Sequence, residues 1–162
     1  MAAAQGDLTL LESDVARKLL ASALPARVAY VARDGKPRVV PSWFHWDGRE
    51  LVMPTFVAAP HIRRPAARLR DLQTNPDVAI SIDTETQPPE VLLLRGRAEV
   101  TEVDGVVPEY AASARQYMGG EAAAEYLAMI DKPGTRMARI AVRPTWVGLI
   151  DFETRLPANM HA

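Results

Sequence analysis

Two Asp-Gly pairs, Asp34-Gly35 and Asp47-Gly48, each stand between runs rich in β-branched and aromatic residues, and they constrain the fold of this chain more than any other feature. An Asp-Gly dipeptide supplies the positive-φ positions of a tight hairpin, so each pair predicts a reversal between antiparallel strands. The strands so bounded cover 27–33, 36–46 and 50–55, which predicts a three-stranded meander. Three more strands are expected. Over 77–83, Val78, Ile80 and Ile82 alternate with Ala79 and Ser81. Over 90–103, Leu92, Leu94, Gly96, Ala98 and Val100 share a face, while the other face passes from Val91 and Leu93 to Arg95, Arg97 and Glu99. The last strand, 137–152, directs Ile140, Val142, Trp146 and Ile150 one way, and Pro144 marks an edge or a bulge in it.

Helical spacing fills the intervals. Leu11, Val15, Leu19 and Leu24 predict a helix over 10–24, opened by a Thr9/Glu12 capping box and stopped at Pro25. A short helix over 65–73 begins at Pro65 and ends at Asn75-Pro76. Two more, 107–118 and 120–130, part at Gly119-Gly120. Six strands at short spacing are closed economically by an antiparallel barrel with peripheral helices, because closure removes exposed edges. The fold class is therefore mainly β, in one domain over 1–162, with flexible tails over 1–7 and 156–162.

Composition narrows the function. Nineteen Lys and Arg against 20 Asp and Glu give a formal charge of −1, which argues against a protein coated by nucleic acid. There is no cysteine, hence no disulfide and no thiolate metal site, and His45, His61 and His161 are isolated from one another. No metal site is expected. The start of the chain has neither a basic nor an apolar leader region and no stretch is long enough to span a bilayer, so the expected location is cytoplasmic.

Sixteen of the 19 cations are Arg, and four of them fall within ten residues that hold no acid: Arg63, Arg64, Arg68 and Arg70. Such a cluster attracts anions, and guanidinium forks suit phosphate or carboxylate. A solvated basic face paired with surface carboxylates would read the same way.

The ordered set of these features resembles one family. The helix, the Asp-Gly hairpin, Pro41-Ser42-Trp43-Phe44, the second hairpin and a strand ending at Thr55 come first. Arg68-x-x-Asp71-Leu72-x-x-Asn75-Pro76-Asp77-Val78 and then Leu94-Arg95-Gly96-Arg97-Ala98 follow. From about residue 8 to 152 this is similar to the pyridoxamine 5'-phosphate oxidase-like, flavin-binding split β-barrel family. The resemblance implies a homodimer holding FMN, or the deazaflavin coenzyme F-420, in grooves between the subunits. By position it assigns Arg68 to the flavin phosphate and Thr55 to the hydroxyl facing it. It places Val39, Val40, Pro41 and Ser42 along the ring. The loop 55–68 departs from the compact family form, leaving Arg63, Arg64 and Arg68 all as phosphate candidates. Val91 stands where pyridoxamine phosphate oxidases carry Gln, and Trp146, Arg155 and His161 do not reproduce their substrate-binding pattern, which argues against vitamin B6 oxidation. The expected function is a flavin- or deazaflavin-dependent oxidoreductase acting on a small organic substrate, with a non-catalytic flavin store or sensor as the alternative. No catalytic side chain is assigned, since the flavin carries the redox chemistry. Trp43, Phe44, Trp46 and Trp146 read either as ring-stacking walls or as packing.

Overall fold

The computed structural model describes residues 3–157. A 3-10 helix, Leu8–Glu12, leads into α1 (Asp14–Leu20), followed by β1 (Ala26–Val31), β2 (Pro37–Ser42), β3 (His45–Trp46) and β4 (Leu51–Ala58). Then come α2 (Ala67–Thr74), β5 (Asp77–Asp83), β6 (Val91–Asp104), α3 (Pro108–Met118), α4 (Gly120–Ile130) and β7 (Arg136–Ile150). All strand pairs are antiparallel and form one seven-stranded sheet in the order β2-β1-β5-β6-β7-β4-β3.

The seventh strand corrects the expected six. The run 36–46 breaks at Trp43-Phe44, so β2 pairs with β1 while β3 pairs with β4, at opposite edges of the sheet. The meander is therefore not formed. That break dictates the shape of the whole sheet. Six inter-strand steps of about 4.8 Å would hold the edges of a flat sheet about 29 Å apart. The two residues between β2 and β3 can span only about 10 Å. The sheet must roll until its edges meet, yet no ladder joins them among the described residues. It is a split roll and not a closed barrel. Phe44, fully buried, plugs the split.

The first helix is also divided. Asp7 caps the 3-10 helix by accepting from Thr9 N–H at 2.9 Å, and Ser13 starts α1 by accepting from Ala16 N–H at 3.3 Å, so Thr9 is not the cap. Ser13→Ala is expected to cost about 1 kcal/mol, readable as a small drop in denaturation midpoint. The lead-in is fastened to β7: Gly6 N–H donates to Val147 O (2.7 Å), and the Gln5 amide both donates to Leu149 O (2.6 Å) and accepts from Leu149 N–H (2.8 Å).

The principal core fills the inside of the roll, where Leu19, Phe44, Leu51, Ile80, Leu92, Leu94 and Ile140 are buried. A second core lies between the sheet and the α3–α4 pair, with Val107, Tyr110, Ile130 and Met137 packed against Phe56. The faces of β5 and of the first part of β6 are those the alternation predicts. Those of β7 are not. Its register against β6 slips between Arg95↔Trp146 and Gly96↔Pro144, a bulge at Thr145. One extra residue inverts the side-chain parity downstream. Val147 and Leu149 therefore take the core positions, and Trp146 moves to the outer face.

Candidate functional site

Helix α2 is short and its faces are unequal. Leu69 and Leu72 are buried against the sheet, and Asp71 is buried beside them. The Asp71 carboxylate accepts from Arg33 N–H at 3.2 Å and pairs with the Arg33 guanidinium at 3.5 Å, tying α2 to the β1–β2 turn. Arg68 lies one turn from Leu72 and, alone among the four clustered Arg, is half-buried. Its neighbours are Val28 and Tyr30 of β1, Val40 and Ser42 of β2, Met53 of β4, Leu72 and Ile140. None of them is acidic. Burial pushes the Arg68 guanidinium below its ordinary value, and nearby Tyr30 opposes this.

Of the twelve Arg residues outside the cluster, eight are paired, while Arg49, Arg95 and Arg115 are exposed without a carboxylate partner among the described residues and Arg155, half-buried, donates to Ala3 O. Arg17, Arg27, Arg33, Arg38, Arg97, Arg136, Arg139 and Arg143 each have a carboxylate partner. Among the described residues, Arg63, Arg64, Arg68 and Arg70 have none. The reading of the cluster as a face paired with surface carboxylates is not what the structure contains. Arg63, Arg64 and Arg70 are exposed and can be solvated, whereas Arg68 is partly removed from water without a counterion. An uncompensated, half-buried cation is costly unless an anion joins it.

The predicted site residues divide by strand parity. Val40 and Ser42 face the cleft with Arg68. Thr55 follows Met53 by two residues on β4 and shares its face. Val39 and Pro41 are exposed on the opposite face of β2, where Val39 borders an outer groove with Arg27, Ala29, Ala79 and Trp146. Arg63 and Arg64 stand in the loop before α2. As the sheet edge, β2 pairs only with β1, so the backbone of Val39–Ser42 offers unpaired groups on its free side among the described residues.

The other candidates resolve as packing. Trp43 stacks on Tyr117 (5.1 Å between centroids, 13° between planes), and Phe44 meets Tyr117 edge-on. Tyr117 O–H donates to Leu24 O at 2.8 Å, and burial pushes its pKa up to about 12. Trp46 packs against the principal core. His45 borders a surface hollow with Arg17, Leu20 and Gln116. His61 packs edge-on against Phe56. His161 lies outside the described residues. No group of three or more metal-binding side chains forms among the described residues.

Sequence reading missed the outer face. There the Arg95 guanidinium lies 4.0 Å from the Trp146 ring centroid. The signal was present in Pro144 opposite Gly96, which marks the bulge that turns Trp146 outward. Beyond β7, Asp151 builds a tight turn. Its carboxylate accepts from the N–H groups of Glu153 (3.0 Å), Thr154 (2.8 Å) and Arg155 (2.7 Å) and from the Thr154 hydroxyl (2.5 Å). Burial pushes this carboxyl up, but those four donors outweigh it and hold its pKa below the ordinary value. The turn is therefore fully stabilised above the unfolded pKa of about 3.9 and loses that support as pH falls through the lower folded value. The protection factors of the amides at 153–155 are expected to fall over that acid range. Asp151→Ala should expose the same amides at every pH, at a cost of about 1–3 kcal/mol.

A rolled, split antiparallel sheet of seven strands with four α-helices packed on it places the chain among small, mainly β proteins. The chain belongs to the pyridoxamine 5'-phosphate oxidase family: residues 13–150 match the family's sequence model. Among solved structures it is similar to an F-420 reductase, with 27% identity, TM-score 0.59, and 80% of this chain and 93% of that one covered. A conserved hypothetical protein of Mycobacterium tuberculosis shares the fold at 15% identity and TM-score 0.65, over 93% of this chain and 91% of that one. A haem-binding protein of Mycobacterium smegmatis shares it at 21% identity and TM-score 0.57, over 88% of this chain and 55% of that one. No curated protein matches the sequence. Among the described residues, no helix is long and apolar enough to cross a membrane.

Proposed function

We propose that the chain is a homodimeric flavin-type oxidoreductase that binds FMN or the deazaflavin coenzyme F-420 and acts on a small organic substrate. The observation that carries this reading is Arg68, half-buried and without a carboxylate partner among the described residues. The donor set fits the phosphate end of such a cofactor: a guanidinium fork with the Thr55 hydroxyl on the face that turns toward it, while the Ser42 hydroxyl, on that face too, donates to Trp43 O at 3.0 Å and would have to rotate to join them. The ring does not fit inside the roll, because the cavity beside Arg68 is only about 10 Å³. It belongs along the free edge of β2, where Val39, Val40, Pro41 and Ser42 offer backbone groups, with a second copy of the chain covering it. Arg63 and Arg64, exposed and unpaired, suit the acidic tail of a deazaflavin, and the 27% identity to an F-420 reductase favours that cofactor over FMN.

When bound, the cofactor supplies hydride transfer. The residues of this chain bind and orient it and keep its phosphate charge paired. The test is the absorbance spectrum of the protein after mixing with each cofactor and gel filtration. A retained band near about 420 nm marks the deazaflavin, and one near about 450 nm marks FMN. Retention of neither would end the proposal. Reduced cofactor that is reoxidised by organic acceptors supports an enzyme; reoxidation by oxygen alone would instead indicate a flavin store or sensor.

A further inference from the structure

We propose that Trp43, Tyr110 and Tyr126 form a hole-transfer relay, which carries a one-electron oxidation from Trp43 to Tyr126 and so discharges small oxidising radicals at the protein surface. Three of the four tyrosines and one of the three tryptophans meet in one cluster. The Trp43 ring lies 6.3 Å from that of Tyr110, and Tyr110 lies 6.3 Å from Tyr126, centroid to centroid. Both separations fall in the range of about 4.5–7 Å found for directly packed rings, so an electron crosses each step with no group in between. Tyr117 stacks on Trp43 at 5.1 Å, and its π face favours a positive charge on the indole.

Packing accounts for rings in contact. It does not account for where their protons can go. Near neutral pH a tyrosine gives up an electron only as its phenol proton leaves. Tyr117 O–H donates to Leu24 O, a carbonyl too weakly basic to take that proton. Tyr110 and Tyr126 instead share one O–H···O bond of 2.7 Å. Tyr110 is buried, and burial, with the Tyr126 hydroxyl adding to it, holds its phenol far above the ordinary value, so it stays protonated until it is oxidised. Tyr126 is half-buried and can release a proton to water. The exit from Trp43 therefore runs through Tyr110 to α4, and Tyr117 is a side branch.

The electrons and protons balance. A radical oxidant of the azidyl or oxyl class takes one electron from the half-buried Trp43 indole and leaves as the anion. One electron passes from Tyr110 to Trp43 and restores the indole. The Tyr110 proton crosses the shared bond as Tyr126 releases its own proton to water. A hydrogen atom then returns from Tyr126 to Tyr110, and the radical rests on the Tyr126 oxygen. A soluble thiol restores that phenol by giving up a hydrogen atom, and becomes the thiyl radical.

Trp46 and Trp146 provide an internal comparison, since no tyrosine ring meets either of them among the described residues. No ring of the relay lines the Arg68 cleft, so the proposal does not rest on the flavin reading.

The experiment generates azide radicals by pulse radiolysis in a solution of the full chain. These radicals oxidise tryptophan in preference to tyrosine, and the indolyl and phenoxyl radicals are followed by their separate absorption bands. In the wild-type protein part of the indolyl signal is expected to convert to phenoxyl signal at a first-order rate independent of protein concentration. The remainder belongs to Trp46 and Trp146 and is expected to decay without that conversion. Trp43→Phe and Tyr126→Phe are each expected to lose the conversion, and Tyr117→Phe to keep it. The two tyrosine variants each remove a single oxygen, and circular dichroism verifies that both are folded. Absence of conversion in the wild-type protein, a rate that rises with protein concentration, or a Trp43→Phe protein that still converts would overturn the relay. Loss of conversion in Tyr117→Phe, or its retention in Tyr126→Phe, would overturn the assigned exit.

Discussion

Arg68→Met is expected to weaken flavin binding by about thirtyfold or more while leaving the fold as stable as the parent, or slightly more so. The two halves of that expectation have one cause. The methionine keeps an unbranched apolar stem among Val28, Val40, Met53 and Leu72, so the packing contributed by the arginine stem is largely retained. It removes a guanidinium that burial already disfavours and that no carboxylate among the described residues compensates. In the free protein the charge is a liability, and its loss relieves a desolvation cost. In the complex the charge faces the phosphate, and truncating one partner of such a pair costs about 2–5 kcal/mol, roughly 30- to 5000-fold in affinity. Thermal denaturation and flavin titration on the same preparations read both halves. An arginine with a merely structural role would show the opposite pattern, a less stable variant with unchanged binding.

Gly96→Val is expected to abolish folding at 37 °C, and Gly96→Ala to cost several kcal/mol. Gly96 faces the core of β6 where the bulge draws β7 close: a Cβ there would lie 2.5 Å from the backbone oxygen of Arg143 and 2.9 Å from Cγ1 of Val142. The Arg143 oxygen is backbone within the longest ladder of the sheet and cannot swing away as a side-chain end can. Relief would require β6 and β7 to separate, with loss of their hydrogen bonds and exposure of Leu94 and Val142. Overpacking without such a backbone clash costs about 1–3 kcal/mol, and the clash adds to that. Gly120→Ala, in the first turn of α4 with no atom within 4 Å of the added carbon, serves as the control and should be neutral or mildly stabilising. Urea denaturation of the three proteins orders them.

The parts of the fold that were legible in the sequence are those whose causes are local. Strand β5 matches its predicted span because Val78, Ile80 and Ile82 alternate without interruption between Asn75-Pro76 and a polar turn. The helices α3 and α4 part at Gly119, whose φ of +84° is a backbone state that glycine adopts without strain. The division of 36–46 into two strands was not legible. Pro41-Ser42-Trp43-Phe44 keeps strand-like composition through a break whose cause is distant: β1 claims one half and β4 the other. Likewise, Pro144 announced a bulge, but its consequence is the inversion of every residue after it, and that placed Trp146 on the wrong face. At the candidate site, the sequence showed four clustered Arg but not which of them is buried. That depends on Leu69 and Leu72 seating α2, and on Asp71 being taken by Arg33, 38 positions away in the chain.

The most direct test of the Arg68 assignment is a double comparison, of cofactor with and without its phosphate and of arginine with methionine. Wild type and Arg68→Met are each titrated with FMN and with riboflavin, and with the deazaflavin and its tail-less core. The wild-type protein is expected to prefer FMN over riboflavin by about a hundredfold and the variant to bind both equally and weakly, since the arginine and the phosphate interact with each other; in the deazaflavin pair the variant is expected to lose the same factor and to keep only the part of the preference that Arg63 and Arg64 contribute through the acidic tail. An Arg68→Met protein that retained the full preference would place the phosphate elsewhere and contradict the account.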